Sequence, residues 1–308
     1  MRSADRLLFS FLLVGLMVCG CRKQPLEYHL DNELKPVTER DLIEMPEDEL
    51  ERVDIARMNI ICARAAFQGN GPGIDECLRQ IDAWAERAKA AEEKYRRCFE
   101  RDPSRYDNSY AKFRAVNLVL TIKEDFKCRY QMALVSSGAM ADIHSPRFFR
   151  NPDDVFITGL LCHRRGTCSS YPVLIAALGR RLGYPIYLKM SHGHLFCCWD
   201  DGVERFNLDT NGEGVDKPTD EFYFSDPIHG LKGRSAVELA NERIMVKLDN
   251  KDALGVFLET AGYSLEAQGA LPGAQGHYLA ALKYRPNCAN LQRLAARRVR
   301  AIPEREGK

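Results

Sequence analysis

The spacing of apolar residues predicts a helical first half of the chain. Apolar positions recur at intervals of three and four over residues 47–67 and again over residues 74–99, with a glycine cluster from Gly69 to Gly73 between them. Residues 108–126 repeat this pattern behind an Asn or Ser that suits a helix cap. We therefore expect a helical region over residues 47–150.

The period of the pattern changes after Asp153. A long apolar run from about Cys168 predicts a helix that ends near Gly183, with Pro185 just beyond it. Residues 186–190, 194–199 and 204–208 then read as short strands, and the turn sequence "DDGV" joins the last two. Residues 151–248 are therefore predicted to be a core in which a helix packs on antiparallel strands, which makes the fold class α+β.

Helical spacing returns over residues 249–308. Within it, residues 274–287 are similar to the second helix of a tetratricopeptide repeat. Because one such unit cannot form a solenoid, we expect these helices to pack on the core. The arginines that follow are expected to form a solvated face.

The composition excludes some classes of partner. The chain has 308 residues and a formal net charge of +1, which gives no field strong enough to gather nucleic acid. We expect no nucleic-acid partner and no cofactor. The apolar content suffices for one substantial core or two smaller ones.

The N-terminus is typical of an exported protein. Arg2 and Arg6 precede an apolar run over residues 7–18, the pattern of a secretory signal. Residues 18–21 resemble a bacterial lipobox, in which Cys21 would be lipidated and become the new N-terminus. This predicts a signal peptide over residues 1–21, a tether over residues 22–46, and a lipid anchor in the cell membrane or outer membrane facing the periplasm or exterior. An uncleaved anchor helix is the alternative.

Export also bears on the cysteines, since thiols in an oxidising compartment tend to pair. Cys19 would leave with the signal, and Cys21 and Cys168 have other expected roles. An even number remains, which permits disulfides without assigning them, and buried free thiols are the alternative for most. The remaining cysteines are Cys62, Cys77, Cys98, Cys128, Cys162, Cys197, Cys198 and Cys288.

Cys168 is the candidate nucleophile. The stretch "GTCSSYP" is expected to place it in the first turn of a helix, where unpaired backbone N–H groups and the helix dipole favour a thiolate. Gly166 would allow a close approach, Pro172 is tolerated near a helix start, and the N–H of Cys168 could help hold an oxyanion. Alone, Cys168 could equally be a small residue filling the core.

A base and an orienting carboxylate follow in the predicted hairpin. His194 begins one strand and Asp209 closes the next, so the hairpin would bring them side by side. An imidazole there can take the thiol proton, and the carboxylate can fix its tautomer. His192 lies on the same face and could exchange roles with His194. The predicted site is therefore Cys168, His194 and Asp209.

Two stretches, "RRGTCSSYPVLIAALGRRLGYP" and "GHLFCCWDDGVERFNLDT", resemble the bacterial transglutaminase-like superfamily. The resemblance is to its SirB-like branch, whose members often carry tetratricopeptide-like C-terminal helices, and it covers roughly residues 47–283. It implies a papain-like transglutaminase core with Cys168 as nucleophile, His194 as base and Asp209 as the orienting residue. The activity it implies is thiol-dependent hydrolysis or acyl transfer on a protein or peptide amide.

Two other hypotheses remain open from the sequence. One is a non-catalytic transglutaminase-like scaffold that binds a partner protein. The other is a metal site, because His192, His194 and Cys198 share a strand face and Cys168 could lie near. Three ligands from one strand fit tetrahedral zinc poorly, so we expect no metal.

Overall fold

The computed structural model describes residues 35–131, 134, 146–210, 218–225 and 231–297. Its helices are α1 (Glu39–Glu44), α2 (Glu47–Leu50), α3 (Ile55–Ala66), α4 (Ile74–Arg101), α5 (Tyr110–Leu120), α6 (Pro146–Phe149), α7 (Pro152–Val155), α8 (Ile157–His163), α9 (Tyr171–Arg181), α10 (Asp220–Ser225), α11 (Ala236–Asn241), α12 (Asn250–Ala267), α13 (Leu271–Tyr284) and α14 (Ala289–Ala296). Its strands are β1 (Arg129–Tyr130), β2 (Arg165–Gly166), β3 (Ile186–Ser191), β4 (His194–Asp200), β5 (Arg205–Leu208) and β6 (Lys247–Leu248). The mixture of helices with an antiparallel sheet is an α+β fold.

The described part of the N-terminal region is mostly helical, as predicted, but it also contains the two-residue strand β1. The single helix expected over residues 47–67 is two helices, because the Asp54 side chain accepts from the N–H of Ala56 and caps a new start at α3. The described end of the predicted tether also differs from expectation. It forms α1, whose Leu42 is fully buried, so it packs against the domain.

The next two helices confirm the apolar spacing. α4 spans 28 residues and buries one face. Ser109 caps α5 by accepting from the N–H of Lys112 at 2.9 Å. A wider turn over Thr121–Asp125 then ends that helix, and Phe126 stacks on Trp84 of α4 at 4.4 Å between ring centroids.

The sheet has four antiparallel strands in the order β5-β4-β3-β6. The three predicted strands are confirmed within one or two residues. A tight turn at residues 192–193 joins β3 to β4, with Ser191 opposite His194. The "DDGV" turn joins β4 to β5, where Gly202 adopts a left-handed φ of 84°. The short strand β6, which pairs with β3, had no periodic signal because it has only two residues.

Helix α9 lies between the sheet and the N-terminal helices. It packs against β3 and β4 on one side and against α3 and α4 on the other, which explains its nearly continuous burial. Gly179 permits the close approach to the sheet, since a Cβ there would lie 2.8 Å from Ile186 Cδ1. The predicted stop is confirmed: the helix ends at Arg181, and Gly183 follows with φ 69°.

The C-terminal helices pack on the core as expected. α12 and α13 form an antiparallel pair, with Gly262 of α12 against the ring of Tyr278. α12 also packs against α3. The tail thereby closes one side of the site described below.

Within the described residues, the structure contains no helix long and apolar enough to cross a bilayer. The predicted signal peptide and Cys21 lie outside those residues.

Candidate functional site

Cys168 lies in a tight turn that precedes α9. The carbonyl of Thr167 accepts from the N–H groups of Ser170 and Tyr171, at 3.1 and 3.0 Å, and this closes the turn before the first helical residue. The expectation that Cys168 sits in the first turn of the helix is therefore wrong. The helix starts at Tyr171 because Thr167 anchors the turn, its hydroxyl donating to the Asp154 carbonyl at 2.8 Å.

The close approach predicted at Gly166 is confirmed. A Cβ at this position would lie 2.4 Å from Ser170 Oγ and 2.9 Å from the Leu160 side chain. Since a side chain would displace the turn that carries Cys168, glycine is required there by space.

His194 and Asp209 meet as the hairpin spacing predicts. His194 is 4% exposed, and its Nε2 lies 2.7 Å from Asp209 Oδ2. Two more donors hold the carboxylate: the Tyr223 hydroxyl donates to Oδ2 and the N–H of Thr210 donates to Oδ1, each at 2.7 Å. Asp209 is thus a buried carboxylate whose position is fixed on both oxygens.

The pair favours its charged form. Burial opposes protonation of His194, but the charge and hydrogen bond of Asp209, together with Cys168, raise its pKa to about 10. Burial also works against the charge of Asp209, yet His194, Tyr223 and Thr210 outweigh it and lower the pKa of this carboxyl. At neutral pH the stable state of the pair is imidazolium beside carboxylate.

The thiol completes the arrangement. Cys168 is partly exposed, and its side chain lies close enough to His194 to help raise the pKa of the imidazole. Because Asp209 occupies Nε2, the nitrogen that faces the thiol is Nδ1. The structure therefore brings all three predicted residues together, with the imidazole between the thiol and the carboxylate.

Tyr130 is a site residue that sequence reasoning missed. Its hydroxyl lies close to both the side chain and the backbone N–H of Cys168. Burial, and then the charge of Cys168, raise the pKa of this phenol well above its usual value. β1 positions it by pairing in parallel with β2, so that Tyr130 lies beside Gly166. A two-residue strand carries no periodic signal from which this could be predicted.

Tyr223 was also missed. Besides its hydrogen bond to Asp209, its ring stacks on Phe196 of β4 with centroids 4.3 Å apart. Tyr223 is fully buried in the short helix α10. It therefore supports the Asp209 carboxylate from a segment in which the sequence predicted no helix or strand.

His192 lies in the β3–β4 turn and is half-buried. The sequence left open that His192 and His194 could exchange roles. In the structure, Asp209 pairs with His194. Among the residues that the structure describes, no group of three or more His, Cys, Asp or Glu side chains is placed to hold a metal ion.

A cleft of about 110 Å³ opens beside His194. Ser169 and the β3–β4 turn form one side, and α12 and the residues after α13 form the other. Its walls are largely apolar, while the ion pair between Arg285 and Glu259 lines its far end. A ligand in this cleft would lie next to the imidazole and to the residue that follows Cys168.

The arrangement is suited to moving one proton. A thiol can pass its proton to Nδ1 of His194, and the buried carboxylate stabilises the resulting imidazolium.

Comparison with protein-family models, with curated proteins and with solved structures found no match.

Proposed function

We propose that this protein is a cysteine-dependent enzyme that hydrolyses or transfers the acyl group of protein or peptide amides. Its core would be papain-like and transglutaminase-like, with Cys168 as nucleophile, His194 as base and Asp209 as the orienting residue. One observation carries the proposal: His194 bridges the Cys168 thiol and a buried carboxylate 2.7 Å away. An ordinary strand histidine needs neither partner.

The proposed reaction has two steps. The sulfur of Cys168, whose proton already resides on His194, attacks the amide carbonyl carbon, and His194 then gives that proton to the leaving amine. The C–N bond breaks and a thioester remains on Cys168. Attack by water yields a carboxylic acid and restores the thiol, whereas attack by an amine yields a new amide.

Two donors next to Cys168 are suited to the oxyanion formed in the first step. They are the N–H of Cys168 and the hydroxyl of Tyr130, which lie close together. When the carbonyl oxygen of the substrate enters, it becomes the acceptor for the Cys168 N–H. The hydroxyl of Tyr130 then becomes the second donor to the substrate oxygen. Tyr130→Phe is expected to lower kcat about 10²-fold with little change in KM, because an oxyanion donor acts only in the transition state.

The test uses mixtures of peptides from the bacterial envelope, with and without a small primary amine. We expect the wild-type protein to release acid products, or amine adducts when the amine is present, and to form a thioester that acid quench and intact mass detect. The control is Cys168→Ala, which leaves the turn and His194 in place. Equal product masses from the two proteins would overturn the proposal and leave the non-catalytic scaffold as the interpretation.

We also propose that the protein is an exported lipoprotein anchored through Cys21. The support is the pattern of residues 1–21 alone. Cells fed an alkyne-labelled fatty acid should yield labelled, membrane-bound protein. Cys21→Ala should abolish both the label and the sedimentation with membranes, and a labelled Cys21→Ala protein would contradict the assignment.

A further inference from the structure

Two cysteines on neighbouring helices lie side by side, away from the candidate site. Cys77 is buried on α4, and Cys162 is exposed near the end of α8. The two thiols are close enough for each to shift the pKa of the other. Proximity of the two thiols is the first geometric requirement of a disulfide.

Two contacts of residues that flank Cys162 hold the end of α8 against α4. Gln80, one turn beyond Cys77, donates from Nε2 to the Leu161 carbonyl at 2.9 Å. The guanidinium of Arg164 lies 4.6 Å from the ring centroid of Trp84 on α4. These two contacts lie within two turns of Cys77, so the proximity of the two thiols follows from the packing of α4 against α8.

The exposed partner is also the more reactive one. The adjacent Cys77 thiol lowers the pKa of Cys162 to about 7, since a neighbouring thiol proton favours a thiolate. Cys77, in contrast, has its pKa raised by Cys162 and by burial. Attack on an external disulfide is therefore expected from Cys162, with Cys77 as the resolving thiol.

We propose that Cys77 and Cys162 form a disulfide by exchange with a small-molecule or protein disulfide. The Cys162 thiolate attacks one sulfur of that reagent, forming a mixed disulfide and releasing the first thiol. The Cys77 sulfur then attacks the Cys162 sulfur, loses its proton and releases the second thiol. Two protein thiols are oxidised, and one external disulfide is reduced to two thiols.

The bond would join α4 to the segment that delivers Cys168. Cys162 lies shortly before β2 and the turn of the nucleophile, so the link would fix the start of that segment without involving Cys168 itself. The thiol of Cys168 is engaged by His194 and Tyr130. The inference does not depend on the proposed function.

The experiment incubates the full chain in a buffer of oxidised and reduced glutathione, followed by tryptic mapping without reductant. Peptides 65–79 and 151–164 each contain one cysteine, so the disulfide gives a single cross-linked mass that reductant splits. The closed loop of about 85 residues should raise Tm by roughly 5–10 °C over the reduced protein.

The matched variants are Cys162→Ser and Cys98→Ser. Both cysteines are exposed, and Cys98 also lies on α4. We expect Cys162→Ser to abolish the cross-linked mass and the effect of reductant on Tm, and Cys98→Ser to retain both. The inference is overturned if peptides 65–79 and 151–164 stay separate in the oxidised wild type, or if reductant lowers the Tm of Cys162→Ser equally.

Discussion

In the part of the chain that the structure describes, a cysteine, a histidine and a carboxylate lie close together at the candidate site and in a second cluster, and the two differ in the order of the three groups. At the candidate site the imidazole lies between the thiol and the carboxylate. In the second cluster, formed by Cys62, Glu39 and His277, the carboxylate lies in the middle. The same residue types therefore produce two different electrostatic situations.

The order decides what each group can do. In the second cluster, burial and then the adjacent charge of Glu39 raise the pKa of Cys62 well above its usual value, which keeps the thiol neutral. His277 donates from Nδ1 to the Gly273 carbonyl at 2.8 Å and from Nε2 to Glu39 at 2.9 Å. Both nitrogens of His277 are engaged by oxygen acceptors, so neither is placed to exchange a proton with a thiol.

The second cluster therefore acts as a structural tie. Glu39 belongs to α1 and His277 to α13, so their ion pair joins the start of the described chain to the C-terminal helices. At the candidate site, by contrast, one nitrogen of His194 faces a partly exposed thiol. The comparison indicates that the order of contacts, rather than the set of residues, separates a candidate catalytic centre from a structural one.

The largest expected effect comes from replacing the two histidines in turn. His194→Gln should reduce the rate of product formation about 10⁴-fold or more, because the thiol loses its proton acceptor. His277→Gln should leave the rate within about twofold, since His277 contacts no reacting group. Peptide turnover followed by mass spectrometry measures both, and equal losses in the two variants would erase the distinction between the clusters.

Replacing the two carboxylates should affect turnover in the same direction as replacing the two histidines, but by a smaller factor. Asp209→Asn keeps the shape of the site but removes the charge that orients and stabilises the imidazolium, so a loss of about 10³-fold is expected. Glu39→Gln should keep turnover and lower the stability of the fold. Steady-state rates and urea unfolding of both variants give the comparison, which fails if Glu39→Gln impairs turnover as strongly.

The pH dependence of stability sharpens the comparison further. Because the pKa of His194 is raised above its unfolded value, its stabilising contribution is complete below about pH 6.5 and is lost as pH rises through about 10. We expect the unfolding free energy to fall by about 5 kcal/mol over that window. Urea unfolding of His194→Gln should lack this fall, and an identical pH profile in both proteins would contradict the assigned ion pair.

The smallest expected effect concerns the structural tie. The side chains of His277 and Glu39 are 15% and 19% exposed, so the solvent weakens their attraction. His277→Gln should lower the unfolding free energy by about 1 kcal/mol at neutral pH. This difference should shrink as pH rises, because the raised pKa of His277 means that its contribution is lost on deprotonation. A difference that instead grows with pH would exclude the ion pair as its source.

The candidate site shows which of its features could be predicted from the amino-acid sequence and which could not. The meeting of His194 and Asp209 follows from strand alternation and one turn at Gly202, both of which are local signals. The start of α9 was placed too early because Thr167 closes a turn through Asp154, a contact from another segment. Tyr130 could not be found, because its place beside Cys168 depends on a short parallel pairing with distant residues.

The most direct test of the central claim compares two cysteines in the same molecule. The protein is treated with limiting iodoacetamide at mildly acidic pH, and the labelling of the tryptic peptides 166–180 and 98–101, which contain Cys168 and Cys98, is followed over time. If His194 and Asp209 activate the thiol, Cys168 is labelled at least about tenfold faster than the exposed Cys98, and His194→Gln removes that difference. Labelling of Cys168 no faster than of Cys98 in the wild-type protein would contradict the claim.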